Sequence, residues 1–212
     1  DGALTSFAWD GNSNLTSVTP PGQPAHGQSF TPVDLLSAYT PPSVPGVPVP
    51  STLFAYNLDK QLTQTTRPDG LLVGRTYDSA GKLDLLTTPA GNVDYDYFGL
   101  TPCPGCAPGR LQRITDPSGV VLDHAYDGLL LKSLTWSGAV SGTVSFGHDA
   151  SFRVTSETVT VGANTSSVAF GLDNDDLLIC ASPSTCSPAG TDALKITLNA
   201  GNGLVTGSTH GL

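Results

Sequence analysis

The four cysteines are the residues best suited to covalent or metal chemistry, and they fall in two close pairs. Cys103 and Cys106 lie in "TPCPGCAPG", and Cys180 and Cys186 lie in "ICASPSTCSP". Close pairs in Pro-rich segments are typical of disulfides formed in an oxidising compartment. The C-x2-C spacing is also half of a tetrahedral zinc site, although neither pair has a histidine nearby. We predict disulfides, and the connectivity stays open, as do the alternatives of reduced thiols, zinc and a redox centre.

Acidic and histidine side chains add little further chemistry. Asp173, Asp175 and Asp176 have the spacing of the start of a calcium loop, but the glycine and glutamate that complete an EF-hand loop are missing, so we expect a turn. The four histidines are scattered, and no nucleophile-elbow motif occurs. The sequence therefore predicts no catalytic residue, no metal site and no cofactor, and a protein that is not an enzyme.

The charge balance limits the partners. A net charge of −9, with only 9 Lys and Arg, argues against nucleic acid because phosphate neutralisation needs clustered cations. No apolar run approaches the roughly 18 residues of a membrane-spanning helix. Asn14 and Asn164 begin Asn-x-Ser/Thr sequons, which matter only in a eukaryotic secretory pathway. Because the chain contains no methionine, we expect a fragment or a processed product of a longer protein.

Composition indicates the elements that must position these residues. Charged residues make up 13% of the chain, while Gly (24) and Pro (17) are abundant. This composition is typical of strands joined by many tight turns. Apolar residues reach 38% and recur in phase with aromatic residues, which argues against disorder. The sequence predicts an all-β fold.

One motif repeats along the chain. An aromatic residue stands six positions before an anchor leucine, with threonine four, proline six and glycine eight positions after that leucine. Tyr56 and Tyr77 begin complete copies, and partial copies bring the number to about seven, at a period of roughly 20 to 30 residues that is typical of arrays. The signature residues are Trp9, Asp10, Tyr56, Tyr77, Asp78, Gly81, Leu83, Tyr126 and Asp127.

Each copy has the pattern of a β-hairpin. Alternating polar and apolar residues, as in "LVGRTY", predict a strand before the aromatic residue. Asp-x-x-Gly then favours a turn, because the aspartate caps the backbone and glycine accepts a positive φ. A second alternating strand follows, and Pro-x-Gly closes it. Such a hairpin is too small to be stable alone, so neighbouring hairpins must pair and share an apolar face.

We predict one array over residues 1–212 with three insertions. The longest, residues 20–52, is Pro-rich and lacks either periodicity, and its apolar residues indicate an ordered covering loop. Residues 100–108 and 179–192 are the two cysteine-bearing loops.

The motif resembles the signature of the YD-repeat, or RHS-repeat, family. Tyr-Asp-x-x-Gly-(Lys/Arg)-Leu followed by Pro-x-Gly is similar to the repeat of bacterial RHS polymorphic toxins, toxin-complex shell proteins and teneurins. The segments "TPPGQPAH", "SAYTPP" and "GNGLVTGSTHG" are also similar to parts of long RHS proteins. The resemblance covers nearly the whole chain and implies an array of antiparallel hairpins forming a curved strip of an RHS-type β-spiral shell.

The resemblance also implies a function. It indicates a non-enzymatic scaffold, a segment of a secreted bacterial shell that encloses or displays a toxin or effector domain encoded elsewhere. No stretch matches the self-cleavage site of the family, so no protease residue is assigned. The implied partners are the remainder of the shell, an enclosed toxin domain and, through the sheet edges, further copies of the chain. The alternative is a carbohydrate- or cell-surface-binding module of an extracellular adhesin, with sugars stacking on Trp9, Trp136, Tyr95 and Tyr97.

Overall fold

The computed structural model describes residues 3–100, 107–183, 185–186 and 193–210. In these residues the secondary structure consists of strands and turns, and no helix is long and apolar enough to cross a membrane. The strands are β1 (Ser6–Trp9), β2 (Leu15–Thr19), β3 (His26–Phe30), β4 (Leu36–Thr40), β5 (Thr52–Tyr56), β6 (Leu62–Thr66), β7 (Leu72–Tyr77), β8 (Leu83–Thr88), β9 (Gly91–Tyr97), β10 (Leu111–Thr115), β11 (Val121–Asp127), β12 (Leu130–Ser137), β13 (Gly142–His148), β14 (Val154–Val161), β15 (Asn164–Leu172), β16 (Leu178–Ser182), β17 (Leu194–Leu198) and β18 (Val205–His210).

The chain forms two compact units, Asp1–Asp94 and Tyr95–Leu212. In the first unit each strand from β1 to β8 pairs antiparallel with the next strand in sequence, and β8 pairs with the start of β9. In the second unit the strands from β10 to β18 follow the same order. The predicted all-β fold, an array of antiparallel hairpins, is confirmed.

Cross-strand register divides the side chains of the first unit between two faces, one of which carries several apolar residues together with Arg75. Phe54 lies opposite Thr65 and Thr65 opposite Val73, while Leu86 lies opposite Val93. These side chains share one face, because directly opposed residues point to the same side of a sheet, and all of them are half-buried. The other face carries Gln64, Gly74, Thr87 and Asn92 in one cross-strand row.

The second unit divides in the same way. Leu134 lies opposite Val144, and Val144 opposite Val159, on the half-buried apolar face. The polar face bears a row of four threonines across β12 to β15, and their hydroxyl groups lie 3.2 Å apart within the first pair and within the last pair. These residues are Thr135, Thr143, Thr160 and Thr165.

Each repeat contains a β-bulge beside its aromatic residue. In eight hairpins of the described chain the register shifts at the aromatic position, because the returning strand has one extra residue. The aromatic residue or its replacement then lies opposite the anchor. The opposed pairs are Trp9–Leu15, Phe30–Leu36, Tyr56–Leu62, Tyr77–Leu83, Tyr126–Leu131, His148–Val154, Leu172–Leu178 and Leu198–Val205.

The structure differs from the covering loop expected over residues 20–52. This range contains β3 and β4, which pair with each other and with β2 and β5, followed by an isolated bridge between Val44 and Val47. Phe30 and Leu36 have the spacing of an aromatic residue and its anchor, and Thr40 and Pro42 follow at the repeat positions. The range therefore holds a copy of the repeat that the sequence analysis did not detect.

Candidate functional site

The turn after the aromatic residue is held by the side chain that follows it. The Asp78 carboxylate oxygen Oδ1 accepts hydrogen bonds from the backbone N–H groups of Ala80 and Lys82, both at 2.8 Å. Gly81 donates its N–H to the Asp78 carbonyl at 3.0 Å and has a φ of 77°. Asp78 and Gly81 are therefore turn-forming residues, as their spacing predicts.

Other side chains build the same turn elsewhere. What the turn needs is a side-chain oxygen at its first position and a positive φ at its fourth. The first position is Asp10, Thr31, Asn57, Asp149 or Asp173. The fourth position is correspondingly Ser13, Asp34, Lys60, Phe152 or Asp176.

The acidic cluster at 173–176 is one of these turns. The Asp173 carboxylate accepts the backbone N–H groups of Asp175 at 2.9 Å and Leu177 at 3.0 Å. Among the residues that the structure describes, no group of three or more His, Cys, Asp or Glu side chains could hold a metal ion. The Asp173 side chain therefore stabilises the backbone of its own turn.

Tyrosines at the aromatic position join three copies of the repeat to the preceding copy. We call this the tyrosine contact: the hydroxyl group donates to the backbone carbonyl of the anchor leucine one copy earlier. The donor–acceptor pairs are Tyr56–Leu36 at 2.9 Å, Tyr77–Leu62 at 2.8 Å and Tyr126–Leu111 at 3.1 Å. Leu36 accepts as an anchor should, which supports the repeat copy within 20–52.

The surroundings of the tyrosine contact differ between the copies. Tyr126 is only 8% exposed, and its ring packs edge-on against Phe98, parallel to His124 and beneath the Arg110 guanidinium at 5.9 Å. Tyr77 is half-buried. Trp9 occupies the same position in the first copy and is 61% exposed.

A second contact runs forward along the chain. The residue before the anchor donates its side-chain N–H to the turn of the next copy, and we call this the turn contact. Gln61 Nε2 donates to the Gly81 carbonyl at 2.8 Å, and Asn14 Nδ2 donates to Asp34 Oδ1, also at 2.8 Å. Asn14 also donates to Asp10, and these hydrogen bonds, first the side-chain one and then the backbone one, lower the pKa of Asp10 below its ordinary value.

The turn contact is ionic at one place in the second unit. Arg153 donates through Nη1 to Asp176 Oδ1 at 2.8 Å and to the Asp173 carbonyl at 2.9 Å. Its Nε donates to Asp149 Oδ2 at 2.7 Å. Asp176 and then Asp149 raise the pKa of Arg153, and the Arg153 hydrogen bond is the largest cause that lowers the pKa of Asp149.

The remaining predicted residues lie at separate places. Cys180 and Cys186 form a disulfide, with Cys180 in β16, while Cys103 and Cys106 lie outside the described residues. Asp127 closes a tight turn around Gly128, opposite Leu130. Of the aromatic residues proposed to bind sugars, Trp136, Tyr95 and Tyr97 are half-buried and Trp9 is exposed.

A groove of about 700 Å³ lies beside this disulfide in the second unit. Ile179, Ile196 and Leu198 supply apolar lining, and Asp173 and Lys195 supply charged groups. Asp173 already caps its own turn. The groove gives no specific indication of a reaction.

Comparison with known proteins identifies the family of the chain. A family model described as the teneurin YD-shell matches residues 1–175. The chain belongs to the YD-shell family. No curated protein sequence matches the chain.

Solved structures confirm the shell fold. The TcdB2-TccC3 crystal structure without its hypervariable C-terminal region aligns with a TM-score of 0.71 at 13% identity, covering 95% of this YD-shell chain and 12% of its own. The TcdB2-TccC3-Cdc42 structure gives the same score and identity over 98% and 12%. The Photorhabdus luminescens Tc holotoxin pore gives 0.61 at 11% identity over 98% and 13%. This chain thus spans about an eighth of the structures it matches.

Sequence reasoning missed the residues that join the copies. Thr31 and Asp34 depart from the Asp-x-x-Gly spelling, although the spacing from Phe30 to Leu36 was available as a signal. Gln61 and Arg153 share a position immediately before the anchor, but their partners lie 20 residues or more further along the chain. Only the structure shows these partners.

Proposed function

We propose that the chain is a non-enzymatic structural segment of a secreted YD-repeat shell that encloses or displays a toxin or effector domain encoded elsewhere. The observation that carries this proposal is the pair of contacts between successive copies. The tyrosine contact reaches backward and the turn contact reaches forward, so the polar groups of one copy are satisfied by its neighbours. Side chains committed in this way build a continuous wall and leave few groups for chemistry.

The family and the structural neighbours support the same role. The chain resembles part of the TcdB2-TccC3 structure and part of the Photorhabdus luminescens Tc holotoxin pore, and it spans about an eighth of each. We infer that its partners are further shell repeats and an effector domain, and that it acts outside the cytoplasm. The open edges of β1 and β18, all of whose residues are exposed, would pair with those further repeats or with a second copy.

Limited proteolysis of a longer polypeptide that contains this chain tests the proposal. If the shell encloses an effector domain, that domain resists cleavage in the native polypeptide and is cut once the shell is unfolded. The double variant Tyr77→Phe and Tyr126→Phe should accelerate cleavage, whereas the exposed control Thr76→Ser should not. A domain cut equally fast with and without the native shell would contradict enclosure, and the absence of any further repeats would contradict the shell.

A second candidate is a carbohydrate- or cell-surface-binding module, and the exposure of Trp9 favours it. An exposed indole can stack on a sugar ring, whereas Trp136 lies half-buried on the apolar face against Gly142. Glycan-array screening should then show binding that is lost in Trp9→Ala and kept in Trp136→Ala. Absence of binding to any glycan would leave the scaffold as the function.

A further inference from the structure

Two sequons of the same type lie in opposite surroundings. Asn14-Leu15-Thr16 begins in the turn between β1 and β2, and Asn164-Thr165-Ser166 begins β15. Each has the Asn-x-Ser/Thr pattern that asparagine-glycosylating enzymes accept. The two sites therefore form a matched pair within one chain, equal in motif and different in structure.

The Asn14 side chain is already committed. Its Nδ2 donates to Asp10 Oδ2 at 3.0 Å and to Asp34 Oδ1 at 2.8 Å, so this amide nitrogen joins the turns of two successive copies. The residue is half-buried. A sugar on this nitrogen would replace one of its two protons and break one of these two hydrogen bonds.

The Asn164 side chain is exposed at a hairpin tip. Val161 lies opposite Asn164 across the two-residue turn Gly162–Ala163. The Asn164 side-chain amide forms no hydrogen bond with any residue that the structure describes. Thr165 and Ser166 are exposed as well. The whole tripeptide is therefore accessible.

Among the described residues, the sequon in β15 pairs with one neighbouring strand. β15 pairs with β14 over residues 164–169, whereas its described pairing with β16 begins at Ala169. Beyond the sequon, the Ser167 hydroxyl group donates to the Pro183 carbonyl at 3.4 Å.

We propose that Asn164 is a glycan attachment site of the folded protein and that Asn14 is not. The donor class is a sugar activated by a pyrophosphate group, used by an asparagine-glycosylating enzyme. Asn164 Nδ2 attacks the anomeric carbon, the bond from that carbon to the phosphate oxygen breaks, and the amide nitrogen gives one proton to a base of the enzyme. The products are the N-linked sugar and the diphosphate leaving group, which is UDP when the donor is UDP-glucose. No oxidant or metal exchange is needed.

The consequence for the fold is asymmetric. A glycan at Asn164 projects from a tip whose neighbours are solvent-exposed, so the turn contacts remain intact. Because an N-linked chain is bulky and polar, it would also shield this exposed hairpin tip from contact with another strand.

The test treats the folded, disulfide-intact chain with a soluble asparagine glucosyltransferase and UDP-glucose and maps the products by peptide mass spectrometry. Synthetic peptides of residues 9–19 and 159–169 are treated in parallel to measure the intrinsic acceptance of each sequon. We expect both peptides to be modified. In the folded chain, Asn164 should be modified at least about tenfold faster than Asn14, because modification of Asn14 must first break hydrogen bonds to two carboxylates.

Three variants identify the cause. Asn164→Gln should remove most of the modification of the folded chain and leave only the slow reaction at Asn14, whereas Asn14→Gln should leave the modification of Asn164 unchanged. Asp34→Gly removes one acceptor of Asn14 while tolerating the positive φ of 62° at that position, so it should raise modification of Asn14 with Asn164 as the internal reference. Failure of the folded chain to react at Asn164, or equal rates at the two sites, would overturn the proposal.

Discussion

The two units join successive repeats with the same two contacts but in different surroundings. In the first unit the turn contact is an amide hydrogen bond, from Gln61 to the Gly81 carbonyl, and the tyrosine contact at Tyr77 is half-buried. In the second unit the turn contact at Arg153 is ionic, and the tyrosine contact at Tyr126 is buried under Phe98 and Arg110. The same two contacts therefore occur in both units, but the interactions that stabilise them differ.

This difference explains how a degraded repeat can persist. His148 replaces the tyrosine in its copy and forms no hydroxyl contact, yet the neighbouring Arg153 binds both turns of that hairpin pair. In this copy the turn contact is present where the tyrosine contact is missing. Four predictions test the comparison, and they are ordered from the largest expected effect.

Removal of the buried tyrosine should have the largest effect. Tyr126→Ala should lower the free energy of unfolding by about 3–5 kcal/mol, because a large buried ring leaves a cavity, whereas Tyr77→Ala should cost about 1–2 kcal/mol at its half-exposed site. Urea denaturation followed by tryptophan fluorescence measures both. Tyr126→Phe and Tyr77→Phe are the controls and should each cost about 0.5–1.5 kcal/mol, the value of one hydrogen bond. Equal costs for the two alanine variants would contradict the difference in burial.

Neutralising the ionic turn contact should have the next largest effect. Arg153→Met keeps much of the side-chain volume but leaves the Asp149 and Asp176 carboxylates and the Asp173 carbonyl without this donor, so the melting temperature should fall by a few degrees. Gln61→Met is the matched variant and should lower it less, because Gln61 donates to one carbonyl only. The comparison fails if Gln61→Met is the more damaging substitution.

Acid should weaken the hydrogen bonds that Arg153 and Asn14 form with the aspartate of their own turn. The pKa of Asp149 and the pKa of Asp10 are both lowered in the folded chain from an ordinary value of 3.8, by Arg153 and by Asn14 respectively. A lowered folded-state pKa contributes stability above pH 3.8, and that contribution is lost as the pH falls below 3.8 through the folded value. Denaturation between pH 6 and pH 2.5 should show a smaller acid loss in Arg153→Met and in Asn14→Ala than in the parent chain. An unchanged acid loss in both variants would refute the assignment.

Salt should distinguish the two units where acid does not. Raising the ionic strength to about 1 M shortens the Debye length to about 3 Å and screens the partly exposed Arg153 pairs, but it leaves the amide contact of Gln61 largely unaffected. We expect the stability difference between the parent chain and Arg153→Met to shrink in potassium chloride, while the difference for Gln61→Met stays constant. A constant difference for both would show that the charge of Arg153 contributes little beyond its hydrogen bonds.

The sequence predicted the hairpins because their signals are local. The aspartate and glycine of "YDSAGKL" act within five residues, so Asp78 and Gly81 were assignable to a turn from the sequence alone. The anchor Leu83 follows from the same spacing and lies opposite Tyr77. A family resemblance built on these local signals was sufficient to give the fold class.

Two kinds of feature were not predictable from the sequence. One is a turn in which a different residue type takes the same role, and the other is a contact that depends on which strands pair. Thr31 supplies a hydroxyl oxygen where other copies have a carboxylate, and Asp34 adopts the positive φ of 62° that glycine adopts elsewhere, so a search for Asp-x-x-Gly passes over this copy. The tyrosine contacts join residues 15 to 20 positions apart. Their existence depends on which strands pair, and no local pattern contains that information.

The hairpin that begins at Tyr97 shows how much extra chain the repeat turn can accept. Phe98 and Arg110 form the backbone hydrogen bond that Asp78 and Lys82 form in the complete copy, and Gly109, at a φ of 72°, takes the place of Gly81. The sequence between these closing bonds is longer than in the complete copy. The carbonyl of the anchor Leu111 still accepts a hydrogen bond from the Tyr126 hydroxyl group. Because the entropy of closing a loop grows slowly with its length, each repeat turn is a position where a foreign peptide could be grafted for display without changing the register of the sheet.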